Sequence, residues 1–212
     1  MEILKRIYDS VIECDIPKTE SLVKEALNKK ATAQKIMSDS FVRALDVVGE
    51  KFSAGEFFLP EMLTAAMAVK SGMAILKPLL AQSGAKPKGT VVAGTVAGDI
   101  HDIGKNMVCM MLEGAGFKVV DLGVDVSGEK FLQAIRANQA DIIAMSALLN
   151  TTMISMVKMI HLINSAGLGP KVKIMVGGAS ITQDFAQAIG ADGYAPDAAL
   201  AVRKAKELLG FK

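Results

Sequence analysis

The chain has 212 residues, 51% of them hydrophobic and 22% charged, with 24 Lys and Arg against 22 Asp and Glu. A formal charge of +2, with no basic run, gives no electrostatic footprint for nucleic acid or for an anionic membrane surface. No stretch reads as long and apolar enough to cross a bilayer, and no membrane association is expected.

The N-terminal MEILKRIYDS mixes charged and apolar residues and does not read as a signal peptide. Cys14 and Cys109 form no CxxC or Cys/His cluster. Cys109 lies inside MVCMML and is expected as a buried, reduced thiol. A cytoplasmic protein is expected. The first 82 residues read as helix. Leu4, Ile7, Val11 and Ile12 recur at helical spacing. Pro17 and Thr19 start a second helix with a stripe of Leu22, Val23, Ala26 and Leu27. Met37, Phe41, Leu45, Val48 and Phe52 mark a third. After SAGEFFLPEML, Pro60 suits a first helical turn, where its missing N–H costs nothing, and Glu61 favours the dipole there. Met62, Leu63, Ala66, Met67, Met73 and Leu76 carry that fourth helix to about residue 82. Four helices with short connections predict a small bundle.

Residues 83–89, SGAKPKG, read as a linker by composition. The expected division is a helical domain over 1–83, a linker over 84–89 and an α/β domain over 90–212. In the last, short apolar runs at 90–97, 117–122, 141–148, 172–177 and 192–194 predict strands. Helices are expected near 104–115, 128–138, 152–166, 181–189 and 197–209. Ser180 with Gln183 matches a capping box, and Gly116, Gly167, Gly190 and Gly210 sit where helices end. Strict alternation predicts an α/β domain with a doubly wound, five-stranded parallel sheet, flavodoxin-like in the order 2-1-3-4-5. Ligands of such sheets bind at the carboxyl ends of the strands near the switch point. Asp99 and His101 fall just after the first strand, at that place.

Gly98 and Gly104-Lys105 superficially suggest a phosphate-binding loop. Five residues separate the glycines where four are needed, and Asn106 stands where a Ser or Thr would bind magnesium. No GxGxxG follows the strand either. His161, in an apolar helix, reads as a structural histidine. His101 differs, because Asp99 two residues earlier is the usual partner that fixes an imidazole tautomer and raises its basicity toward a metal. Gly104 leaves space beside the helix start.

The segment GDIHDIGKNMV resembles the Asp-x-His-x-x-Gly signature of cobalamin-binding domains. These occur in cobalamin-dependent methionine synthase, in cobalamin mutases and in the corrinoid proteins of methyltransferase systems. MSALLNTTM offers Ser146 and Leu148, similar to the family's Ser-x-Leu after the third strand, and MVGGAS offers Gly177 and Gly178, similar to its Gly-Gly after the fourth. The helices around FFLPEML resemble the helical cap of the family. The resemblance implies a cobalamin or related corrinoid held base-off and His-on, with His101 as the lower axial ligand of cobalt. It implies that Asp99 bonds the other ring nitrogen and that Thr152 supplies the hydroxyl of a His-Asp-hydroxyl relay, where methionine synthase has Ser. Asp102, Ile103 and Gly104 complete the signature loop. Ser146 and Leu148 would line the slot for the nucleotide tail, which Gly104, Gly177 and Gly178 would let the backbone approach. Phe57, Phe58 and Leu59 are exposed on a simple helical reading; they would join the bundle to the second domain, or, as the resemblance implies for Phe58 and Leu59, shield the upper face of cobalt, and the two roles are compatible.

The chain has no room for a mutase's catalytic barrel or for folate and homocysteine modules. The resemblance therefore implies a freestanding, non-catalytic methyl carrier, cycling between Co(I) and methyl-Co(III). Its partners would be a substrate-specific methyltransferase, an acceptor methyltransferase that passes the methyl group to a thiol or folate-like acceptor, and a reductive activase. The methyl donor stays open among methylamines, methanol, methoxylated aromatics and glycine betaine. A cobalamin-binding sensor is the alternative, which a DNA-binding module would mark; none is found. A cofactor-free flavodoxin-like interaction domain would leave Asp99, His101, Ser146 and Thr152 without a shared reason.

Overall fold

The computed structural model describes residues 2–84 and 86–211. Ala85, within the expected linker, lies outside the described residues. The chain divides into two compact units, one of Met1–Pro87 with Met110–Gly116, the other of Lys88–Cys109 with Phe117–Lys212.

The first unit is helical: α1 (Glu2–Ile12), α2 (Ile16–Asn28), α3 (Ala33–Ile36), α4 (Arg43–Ser53) and α5 (Leu59–Gln82). Asp15 caps α2 by accepting from the Lys18 N–H, and Thr32 caps α3 through the Lys35 N–H. The third predicted helix is not uniform. Its residues Met37–Val42 form a π-helical segment between α3 and α4, inside which the Ser40 hydroxyl donates to the Leu4 carbonyl at 2.9 Å. The period of three and four cannot reveal this, because one wider turn preserves the apolar face. Ile7, Val23, Phe41, Leu45, Val48, Met62, Val69 and Leu76 form the core of the unit.

One helix corrects the expectation about bilayer-crossing stretches: α5 has the length and a mean hydropathy of 1.3 that would allow it to span a membrane. Packing explains its composition. It lies against α1, α2, α3 and α4 and buries Met62, Ala65, Ala66, Ala68, Val69, Gly72, Met73 and Leu76 in the core. A helix packed against several neighbours is apolar over much of its circumference.

The second unit holds a parallel sheet of β1 (Thr90–Thr95), β2 (Lys118–Asp121), β3 (Ile142–Ser146), β4 (Lys173–Gly177) and β5 (Gly193–Tyr194) in the order β2-β1-β3-β4-β5, as expected. The helices α6 (Ile103–Gly114), α7 (Gly128–Asn138), α8 (Met153–Ser165), α9 (Gln183–Ala188) and α10 (Ala198–Leu208) alternate with the strands. Val92, Ile143, Met145, Ile174 and Val176 pack with Phe131, Ile135, Met156, Met159 and Ile163 of α7 and α8. The alternate positions Val91, Ala93, Ile142, Ala144 and Met175 point the other way and are buried too, so both faces are covered. The four glycines expected at helix ends have positive φ, from 70° to 94°. The Ser180 capping box does not form. Thr182 caps α9 by accepting from the Phe185 N–H, and the Ser180 hydroxyl instead donates to the Leu148 carbonyl. Cys109 is buried, as expected, and His161 lies exposed on α8 rather than inside the structure.

Candidate functional site

In the order β2-β1-β3 successive strands are added on opposite sides of β1, and the loop that leaves β1 at this switch point carries Asp99 and His101. This loop is bent by Gly98 at a φ of 85° and fastened at several points. The Gly98 N–H donates to Asp125 Oδ1 at 2.7 Å, the Ser155 hydroxyl to the Ala97 carbonyl at 3.0 Å, and the Thr95 hydroxyl to the His101 carbonyl at 2.9 Å.

Asp99 is fully buried. Its Oδ1 accepts from the His101 N–H at 3.1 Å and lies 2.7 Å from His101 Nδ1. Its Oδ2 accepts from the Leu148 N–H at 2.7 Å, the Leu149 N–H at 3.4 Å and the Thr152 hydroxyl at 2.7 Å. Burial by itself would raise the pKa of this carboxyl. The bonds from the Leu148 N–H, the His101 ring, the Thr152 hydroxyl and the His101 N–H outweigh burial and hold Asp99 well below the ordinary carboxylate range. An ionised Asp99 accepts a proton-bearing Nδ1, which leaves Nε2 of the neutral ring as the position with a free lone pair. The His101 side chain is 47% exposed while its partner is sealed from solvent, so the ring is held from behind and open in front.

Thr152 stands at the N-cap position of α8, yet its side chain makes no capping bond. Its hydroxyl serves Asp99 and the Leu149 carbonyl instead, the latter at 2.8 Å. Apolar side chains flank His101: Ile100 is 73% and Ile103 70% exposed, and Leu148 and Leu149 are also among the exposed hydrophobic residues. Ser146 closes β3, and Gly177 closes β4 beside it. Gly178 follows with a φ of 127°, and a Cβ there would run into the Ala147 carbonyl oxygen. A Cβ on Gly177 would come within 2.8 Å of the Ala195 carbonyl oxygen, whereas one on Gly104 would meet open space.

Lys105 is paired within the protein. Its Nζ is buried against Asp121, 2.7 Å from Oδ1 and 2.6 Å from Oδ2. In the first unit Phe58 and Leu59 are exposed as expected. Phe57 is half-buried, contrary to expectation, with Lys51 Nζ 5.4 Å from its ring centroid.

Residues 89–203 match the model of a B12 binding domain, and residues 3–77 match a second model with the same description. The chain belongs to the B12-binding family. It is 40% identical over 210 residues to a trimethylamine corrinoid protein of Methanosarcina barkeri, covering 98% of this chain and 97% of the relative. A dimethylamine corrinoid protein of the same organism is 41% identical over 209 residues, covering 98% of both chains. Among solved structures, the methanol:cobalamin methyltransferase complex MtaBC of M. barkeri matches with a TM-score of 0.84 at 29% identity, covering 100% of this chain and 81% of that one.

The donor set of this B12-binding chain fits a cobalamin or related corrinoid. Among the described residues no group of three or more His, Cys, Asp or Glu could hold a metal by itself. A corrinoid would bring its cobalt already held by a macrocycle, and the one oriented imidazole of His101, among exposed apolar side chains, fits what the protein would add to it. Sequence reasoning missed Asp125 and Ser155 and took Ser180 for a helix cap. All three bond to backbone atoms from a distance in sequence, and only their places at strand and helix ends could have pointed to them.

Proposed function

We propose that this chain is a corrinoid-dependent methyl carrier, and that His101 Nε2 is the protein's ligand to cobalt. The observation that carries this reading is the Asp99 carboxylate bridging the His101 ring and the Thr152 hydroxyl, with Nε2 left facing outward. Bound at this site, the corrinoid supplies a cobalt that takes up and releases a methyl group. Asp99 keeps the proton on Nδ1 and so holds the free lone pair at Nε2. The Leu148 and Leu149 amides and Thr152 keep Asp99 charged and fixed. Ser146 and Leu148 line the tail slot, and Gly104, Gly177 and Gly178 leave the backbone low enough to border it. Asp102 and Ile103 complete the loop. The corrinoid relatives and the structural match support partnership with a methyltransferase; the carrier reading assigns it a substrate-specific methyltransferase, an acceptor methyltransferase and a reductive activase. Methylamines and methanol lead as donor classes, since the relatives and the matched complex are named for them. The same reading places the protein in the cytoplasm, and takes 84–89 as the linker between a helical domain over 1–83 and a cofactor domain over 90–212.

An absorption spectrum of the protein with methylcobalamin tests the reading against His101→Ala. Stoichiometric binding with a base-off, His-on spectrum that the variant loses is the expected result. An identical spectrum in the variant would remove His101 from the coordination sphere. No binding by the wild type would overturn the carrier reading itself.

A further inference from the structure

The mechanism above leaves one buried charge unexplained. Lys105 lies in the first turn of α6, where a cation opposes the helix dipole, and its ammonium is withdrawn from solvent. Both choices disfavour the local structure, and such conflicts concentrate at functional sites.

Its partners connect it to the ligand loop. Lys105 Nζ donates to both oxygens of Asp121, at the end of β2, and to Asn106 Oδ1 at 2.5 Å. Asn106 Nδ2 in turn donates to Asp102 Oδ2 at 2.9 Å, and Asp102 directly follows His101. Asp121 is held as well, since its Oδ1 accepts from the Gly123 N–H at 2.9 Å. The polar chain Asp121–Lys105–Asn106–Asp102 therefore ends one residue from His101. It approaches from the β2 side, while Asp99 fastens the loop to the β3–α8 side.

We infer that Lys105 and Asn106, anchored on Asp121, are positioning residues that set the orientation of the His101 imidazole. This inference rests on the proposed ligand role of His101 for its consequence in the loaded protein, but its geometry is present without cofactor. Asp99 fixes which nitrogen carries the proton and where the start of the loop lies. Beyond His101 the chain is held at the His101 carbonyl by the Thr95 hydroxyl and at the Asp102 side chain by this tether. Without that tether the side-chain anchor on the residue after His101 is lost, and the imidazole can shift within the limits that Asp99 and Thr95 leave.

Two variants separate this role from plain stability. Asn106→Ala cuts the tether, leaves the Lys105–Asp121 pair whole and puts a strong helix former in a helix. Lys105→Met removes the charge with similar length. The first measurement is the nitrogen-15 spectrum of the imidazoles in cofactor-free protein. The wild type is expected to show one Nδ1-protonated tautomer for His101, and each folded variant a shifted or broadened His101 pattern with that of His161 unchanged. The second is the methylcobalamin spectrum, in which the variants retain binding but lose His-on ligation by about tenfold, the usual scale for residues that orient a ligand. Unchanged His101 nitrogen signals in Asn106→Ala would overturn the inference, and that variant decides alone if Lys105→Met does not fold. If wild-type protein binds no corrinoid, the carrier reading falls while the nitrogen signals still decide the positioning role.

Discussion

Asp99→Asn keeps size and shape and removes only the charge and one acceptor. The carboxylate receives two bonds from His101 on Oδ1 and three from Leu148, Leu149 and Thr152 on Oδ2. An amide must point its NH2 at one of these sets. Turned toward Leu148, it leaves a buried backbone N–H facing a donor at 2.7 Å. Turned toward His101, it confronts that residue's own N–H and drives the ring to the other tautomer, which places a proton on Nε2. One unmatched buried donor costs about 1–3 kcal/mol, and the surviving bonds fall from charge-assisted to neutral, so the variant is expected to lose about 2–4 kcal/mol. Denaturant unfolding of the cofactor-free protein measures this. The pH dependence has a definite sign. The folded pKa of Asp99 is depressed, so its contribution is complete above the unfolded value of about 3.9 and is lost as pH falls toward the folded one. The gap between wild type and variant should accordingly be widest at neutral pH and narrow on acidification below about pH 4. A gap under about 0.5 kcal/mol at neutral pH, or one that grows on acidification, would refute the assignment of Asp99 as the charged hub.

Thr152→Val removes the hydroxyl from Asp99 Oδ2 and the Leu149 carbonyl and is expected to cost about 1–3 kcal/mol in denaturant unfolding and to weaken His-on ligation in the methylcobalamin spectrum, whereas Thr152→Ser keeps both near wild type. Gly178→Ala forces a side chain into the Ala147 carbonyl at a left-handed φ, and a loss of at least about 2 kcal/mol in thermal or denaturant unfolding is expected. Gly72→Ala on α5 places a methyl group against the Phe41 ring and should cost about 1–3 kcal/mol by overpacking, seen as a lower unfolding midpoint of the first unit. By contrast Phe58→Ala, at a side chain 65% exposed, should leave the same midpoint within about 0.5 kcal/mol of wild type.

The sheet was legible because β1, β3 and β4 are short apolar runs bounded by turn residues, and because strict alternation with helices admits few topologies; β5, only Gly193–Tyr194, carries no apolar run of its own. The Asp99–His101 pair was legible because both partners lie within three residues on one loop. Thr152 came into view only through the family pattern, since a Thr before a helix ordinarily reads as a cap and only the fold turns its hydroxyl toward Asp99. The Leu148 and Leu149 amides carry no side-chain signature at all, yet they supply two of the five donors to Asp99. Ser180 misled for the opposite reason. Its spacing to Gln183 satisfies a capping pattern, but Thr182 caps the helix and leaves the Ser180 hydroxyl to the Leu148 carbonyl. In α5, composition alone could not separate a core helix from a membrane span, because burial among neighbouring helices and burial in lipid select similar residues.

On the proposed reading, dependence on a single imidazole would explain why so much of the loop's polar chemistry goes into anchoring. A metal held by three or four protein ligands averages out the misplacement of any one of them. With one ligand there is no such averaging, and a shift of the ring passes directly to the bond it makes. The loop from β1 is accordingly tied at residues 97, 98, 99, 101 and 102, by partners that come from α8, the segment after β2, the β3–α8 loop, β1 and α6. Ile100, His101 and Ile103 are the residues of this loop whose exposed side chains the arrangement leaves facing solvent, where a ligand can meet them. An isolated flavodoxin-like interaction domain would have no use for a sealed carboxylate whose one outward consequence is the lone pair of His101 Nε2. For that reason the ligation state of His101, rather than corrinoid affinity alone, is the quantity on which the variants of Asp99, Thr152, Lys105 and Asn106 should agree.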